Sequence, residues 1–179
     1  MLLTYTELKE LVDAGHIENV PDENINGGSI DLTLAPGFWV ESGDSIRPVD
    51  LSQKESPRMI FHDGDKLILT PGEFCLAATE QIFHLPDDIA AHYMLKSSLA
   101  RAGLGHLFAG YADPTWHGSA LTLEFKNELT RHALKLNAGM KCGQIVFFKG
   151  TSKVPQERSY AARGQYNLNP KAQPNKGVR

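Results

Sequence analysis

Residues 121–126 read Leu121-Thr122-Leu123-Glu124-Phe125-Lys126, a strict alternation of apolar and polar side chains. A period of two belongs to a β-strand, so Leu121, Leu123 and Phe125 share one face and Thr122, Glu124 and Lys126 share the other. If the second face meets solvent, Glu124 is an ordinary surface carboxylate. If it meets a crevice between subunits, lost hydration raises its pKa and suits it to move a proton near neutral pH. The strand alone leaves both open.

Working outward, the same alternation recurs at Ile30, Leu32 and Leu34 in SIDLTLA, in KLILT (66–70), in EFCLAATE (73–80), at Leu134 and Leu136, and in QIVFFK (144–149). Glycine, proline, asparagine and aspartate clusters separate these runs: INGG, LAPG, HDGD, TPGE and NAGM. One amphipathic helix opens the chain, with Thr4 and Glu7 spaced as a capping box, Leu8, Leu11 and Val12 on one face, and Gly15 as its stop. This rhythm predicts a mainly β chain, a sandwich or barrel carrying a few short helices, with no repeat and no heptad. The segment from Pro155 onward is polar, and its composition fits a mobile arm or lid as well as plain disorder.

Composition narrows the function classes. A chain of 179 residues with 41% hydrophobic content can bury one sizeable core, which favours a single domain. A net charge of -3 provides no basic field for a nucleic-acid polymer. Cys75 and Cys142 form no C-x-x-C pair, which argues against a disulfide framework or thiolate zinc site and favours a reducing cytoplasm. The opening MLLTYTELKE lacks a basic region followed by a long apolar run, and no later segment reaches membrane-spanning length, so a soluble, unprocessed, cytoplasmic protein without membrane attachment is expected. The seven histidines show no i, i+4 pairing. His16 and Glu18 begin a zinc-deaminase pattern that no Pro-Cys-x-x-Cys completes, and neither a P-loop nor a strand-linked G-x-G-x-x-G occurs.

Two further stretches join Glu124 as candidate centres. In MLKSSLARAGL (94–104), Lys96, Ser97, Ser98 and Arg101 surround a helix start, where backbone N–H groups, hydroxyls and a guanidinium suit phosphate oxygens. An ordinary capped surface helix has the same composition. In FAGYADPTWHG (108–118), Ala109-Gly110 permits close backbone approach and Asp113 can accept from sugar hydroxyls, while a hairpin with a packing Trp116 explains the same residues.

Taken in order, KSSLARAGL, AGYADPTWHG and LTLEF closely resemble the signature of dCTP deaminases in the trimeric dUTPase superfamily. The likeness extends to INGGSIDLTLAPGF, LTPGEFCLAATEQIFHLPDDIAAHY and GMKCGQIVFF, and the joint order is far more specific than any one motif. The resemblance implies a distorted β-barrel of the dUTPase-like type over residues 1–154, a C-terminal arm or lid over 155–179, and a homotrimer with active sites at subunit boundaries. It implies hydrolytic deamination of dCTP to dUTP and ammonia without zinc, with Mg2+ carried by the triphosphate and dTTP as a candidate inhibitor. Ser97, the Ala109 carbonyl and Glu124 are then the water-handling group, with Arg101 beside the carboxylate and phosphates. Lys96, Ser98, Leu99 and Ala100 fall to the triphosphate, Asp113 to the deoxyribose 3'-hydroxyl, and Thr122, Leu123 and Gln144 to base and sugar. Tyr160, Gln165, Tyr166 and Asn169 match the lid.

The chain departs from the family pattern in places. Lys96 stands at a usual arginine, Phe108 at a usual threonine, Gln165 at a lysine and Asn169 at a glutamine. The segment from Leu104 to Ala109 is one residue shorter than usual. From Asp113 to Glu124 it is one longer, a difference that a β-bulge before Leu121 absorbs. The AGYAD segment is more similar to bifunctional members, which carry dCTP through to dUMP and pyrophosphate. That activity is the main alternative, and a non-catalytic trimeric nucleotide-binding regulator is the other.

Overall fold

Helix α1 (Tyr5–Asp13) forms where the capping box places it: the Thr4 backbone N–H and hydroxyl both donate to the Glu7 carboxylate, at 2.8 and 2.7 Å. Leu8 and Leu11 are buried, and Gly15 leaves the helix at φ +77. This computed structural model describes residues 1–43 and 46–177, so the last two residues of the expected arm, Val178 and Arg179, lie outside the described residues. After α1 come strands β1 (Ile17–Glu18), β2 (Ile30–Thr33), β3 (Phe38–Glu41), β4 (Met59–His62), β5 (Lys66–Leu69), β6 (Phe74–Ala78), β7 (Ile82–His84) and β8 (Ile89–Leu95). Helix α2 (Ser97–Arg101) interrupts them. Strands β9 (Leu104–His106), β10 (Tyr111–Ala112), β11 (His117–Ser119), β12 (Thr122–Asn127), β13 (Leu134–Asn137) and β14 (Lys141–Lys149) follow, and α3 (Tyr160–Arg163) lies in the arm.

Among the described residues the strands pair antiparallel in four sheets, ordered β4-β3-β6-β12-β9, β10-β8-β14-β2, β1-β7-β11 and β13-β5. The six alternating runs are all strands; the remaining strands are too short or too mixed in pattern to announce themselves. All sheets give their apolar faces to one core: Phe38, Phe83, Leu123, Phe125, Ile145 and Phe147 are fully buried within it. The chain is therefore mainly β, as the motifs imply, with four antiparallel sheets and a few short helices. No helix among the described residues is long and apolar enough to cross a membrane.

Two local devices set the geometry that matters later. The pairing of β11 with β7 shifts register between His117 and Ser119, so Gly118, at φ +64, is the bulged residue. It absorbs the extra residue of the Asp113–Glu124 segment before β12 begins, and β12 enters with Leu123 and Phe125 inward. On β8, Tyr93 donates its backbone N–H to the Gly110 carbonyl at 2.8 Å, which draws residues 109–112 tightly against the sheet.

A side chain at residue 110 has no room, since a Cβ there would sit 2.6 Å from the Tyr93 carbonyl oxygen. Gly110→Ala is expected to lower the melting temperature by roughly 2–10 °C, the scale of a 1–3 kcal/mol overpacking defect in a chain of this size. Differential scanning calorimetry tests this, and an unchanged melting temperature would show that the β8–β10 approach is not constrained.

Candidate active site

A cavity of about 440 Å³ opens between one face of the five-stranded sheet and the C-terminal arm. Strand β12 supplies Thr122 and Glu124 to its wall, the β10 region supplies Ala109, Tyr111 and Asp113, and the arm supplies Tyr160, Tyr166 and Asn169. The Glu124 side chain is only 22% exposed, so it is not an ordinary surface carboxylate but a wall residue of a cavity within one chain.

The arm closes one side through backbone hydrogen bonds that its polar composition does not reveal. Leu168 N–H donates to the His117 carbonyl and Ala120 N–H to the Asn169 carbonyl, both at 3.0 Å. Trp116 Nε1 donates to the Tyr166 carbonyl at 2.8 Å, and Trp39 Nε1 to the Ala172 carbonyl at 3.1 Å. Trp116 is thus both the packing residue of its turn and an anchor for the arm. The Thr122 hydroxyl accepts from Gln173 N–H, and the Tyr166 hydroxyl accepts from Lys176 N–H.

Beside Glu124 lies a residue that sequence reasoning passed over. His106 Nε2 is 3.3 Å from Glu124 Oε2, and both atoms are buried without a hydrogen-bond partner among the described residues. His106 Nδ1 accepts the Phe108 backbone N–H at 3.2 Å, so Nδ1 carries no proton. Phe108 itself is 92% exposed at φ +62. A histidine two residues before a non-glycine left-handed residue is no recognisable motif, and only the register Phe125↔His106 brings the ring to β12.

The other predicted site residues fall elsewhere. Ser97, Ser98, Ala100 and Arg101 lie exposed on α2, and Leu99 packs partly against the core. None of residues 96–101 lines this cavity. Lys96, expected at phosphate, instead places its Nζ 2.7 Å from Asp31 Oδ1. Leu123 is fully buried in the core, so its side chain does not face the cavity; strand alternation turns it inward. Gln144 sits on β14 opposite Asp31 and Met94, and Gln165 donates to the Gly177 carbonyl; neither lines the cavity.

The chemistry of the wall is specific. Its ionisable acids are Asp113 and Glu124, and among the described residues that line it there is no lysine, arginine or histidine. Burial pushes the Cys75 and Cys142 thiols up to about 12, which removes both as nucleophiles at neutral pH. Such a cavity can hold a neutral ring and place a carboxylate beside it, but a polyanion needs cations from outside the wall.

Comparison with known proteins gives this geometry a context. A family model described as dCTP deaminase-like matches residues 2–150. The chain is 39% identical over 168 residues to a protein of Nocardioides sp. named dCTP deaminase, dUMP-forming, covering 90% of this chain and 86% of that one. It is 35% identical over 170 residues to a protein of the same name from Mycobacterium marinum, covering 92% and 87%. Among solved structures, 2'-deoxycytidine 5'-triphosphate deaminase from Agrobacterium tumefaciens superposes with a TM-score of 0.66 at 14% identity, over 87% of this chain. The chain spans 50% of that longer protein, and the likeness is one of fold.

The His106 arrangement predicts a measurable tautomer. Two-bond 1H–15N correlation should find Nδ1 of His106 without a proton, and His106→Ala should speed hydrogen exchange at the Phe108 amide while lowering stability by about 1–3 kcal/mol. A proton on Nδ1 would contradict the Phe108 hydrogen bond.

Proposed function

The chain belongs to the dCTP deaminase-like family, and from that membership we propose that it hydrolyses dCTP, releasing ammonia and then carrying the dUTP formed through to dUMP and pyrophosphate. One observation carries the deamination step: Glu124 is a largely buried carboxylate on the wall of a cavity sized for a nucleoside, set there by the bulge at Gly118. The second step is supported by the dUMP-forming relatives and by Asp113, an exposed carboxylate on the same wall. Deamination stopping at dUTP, the first expectation from the motifs, becomes the alternative.

In the deamination, Glu124 takes a proton from water as the oxygen adds to cytosine C4 and passes it to N3; it then moves the proton of the new C4 hydroxyl to the amino group, so that the C4–N bond breaks, ammonia leaves and the C4 carbonyl forms. The Ala109 carbonyl and Ser97 orient the water, and the His106 ring, 3.3 Å from Oε2, backs the carboxylate. In the second step Asp113 activates a water at the α-phosphate, and pyrophosphate departs. Magnesium enters with the substrate, carried by its phosphates.

The division of charge supports a site made from two copies. The wall offers two carboxylates and no cation, whereas Arg101, Ser97 and Ser98 are exposed on α2, outside the cavity. A homotrimer that sets α2 of one copy against the cavity of the next brings the guanidinium and hydroxyls to the triphosphate. dTTP, sharing deoxyribose and triphosphate, fits the same place as an inhibitor.

Measuring ammonia and pyrophosphate from dCTP in parallel tests the proposal: both should appear in equal amounts. Ammonia alone would indicate a deaminase ending at dUTP, and neither product with retained dCTP binding would indicate a regulator. Glu124→Gln should bind dCTP yet lose about two or more orders of magnitude in ammonia release. Arg101→Ala should likewise be inactive, and mixing the two variants during refolding should restore part of the activity, because some boundaries then join an intact Glu124 to an intact Arg101. Absence of that rescue would reject the shared site.

A further inference from the structure

Asp31 lies on β2 with its side chain only 8% exposed, and each of its oxygens takes one ammonium: Oδ1 meets Lys96 Nζ at 2.7 Å and Oδ2 meets Lys141 Nζ at 3.0 Å. Two cations on one carboxylate leave a surplus positive charge at the end of the sheet, immediately before α2 and its exposed serines. The second cation is there because of a bulge. Pairing of β14 with β2 shifts between Lys141 and Gly143, so Lys141 opposes Thr33 instead of Leu34 and joins the face that carries Asp31. Cys142 turns into the core at the same step.

A buried carboxylate stripped of its only counter-ion is strongly unfavourable, so a lysine that is its sole partner is not free to move. We propose that Lys141 is a positioning residue for Lys96: by neutralising Asp31 on its own, it lets the Lys96 ammonium leave Asp31 and bind the triphosphate. This rests on the deaminase reading and on the family resemblance that sets Lys96 at the phosphates. Lys141, with a side chain 44% exposed, stays on Asp31 Oδ2 throughout and does not itself touch substrate. The arrangement also accounts for how a lysine, a point charge on a flexible stem, can serve at Lys96: it swings between two anions, which a rigid bidentate fork does less readily.

The test uses the intact protein with two readouts, KM and kcat for magnesium-dCTP and calorimetric binding of inorganic tripolyphosphate. Lys141→Met leaves Asp31 paired with Lys96, so the variant folds, and it should raise KM and weaken tripolyphosphate binding about tenfold while kcat stays within about twofold. Lys141→Arg should retain wild-type values. Asp31→Asn added to Lys141→Met should recover the lost affinity, since a neutral side chain no longer holds Lys96. In a Lys96→Met/Asp31→Asn background, which leaves no buried carboxylate unpaired, Lys141→Met should have no further effect. Unchanged affinity in Lys141→Met, no recovery with Asp31→Asn, or a further loss from Lys141→Met in the Lys96→Met/Asp31→Asn background would each overturn the proposal. A wild-type protein that binds tripolyphosphate, responds to these substitutions and releases no ammonia from dCTP would sink the deaminase assignment alone.

Discussion

The register of β12 is the constraint on which the rest depends. A strand offers only two faces, and a shift of one residue exchanges them completely. Leu123 and Phe125 are fully buried, which leaves Thr122 and Glu124 to the cavity. The bulge at Gly118 is what reconciles a longer approach segment with that register: its positive φ suits glycine, and a Cβ there would stand 2.6 Å from Leu168 of the arm. The same small residue thus sets the strand's phase and admits the arm beside it.

Charge is distributed in a way that makes a single copy chemically incomplete for a triphosphate. Carboxylates line the cavity, while the candidate phosphate-binding groups lie on α2 or are held by Asp31. Asp31 is held below the usual carboxylate range: burial opposes its ionisation, but the hydrogen bonds from Lys96 and Lys141 outweigh that. A folded-state pKa below the unfolded one means that the ion triad stabilises the fold above the ordinary aspartate pKa and fades as pH falls through the lowered value. Lys96 and Lys141 consequently contribute to stability through Asp31.

The arm shows how polar sequence can be ordered by backbone chemistry. Residues 155–177 contain few apolar side chains, yet their carbonyls and N–H groups pair with Trp39, Trp116, His117, Ser119, Ala120 and Thr122. Ser159 and Ala172 are buried by these contacts. Most partners on the body side belong to β11, β12 and the turn before them, so the elements that set Glu124 also seat the arm.

Local periodicity was enough to determine the first helix, the six principal strands, the inward face of β12 and the ordered motifs that identify the family, because each of these depends on side chains adjacent in sequence. Only the tertiary structure decided which face of β12 meets a cavity, since that depends on what packs over the strand and not on the strand itself. It alone brought His106 to Glu124 across a strand pairing, put Lys96 and Lys141 on Asp31, and separated α2 from the carboxylate wall. Each of these joins residues far apart in the chain: His106 to Glu124 through β9 and β12, Asp31 to Lys141 through β2 and a bulge in β14. Their geometry is set by register and bulge position, and those follow from how the sheets close around one core, which no window of neighbouring residues contains.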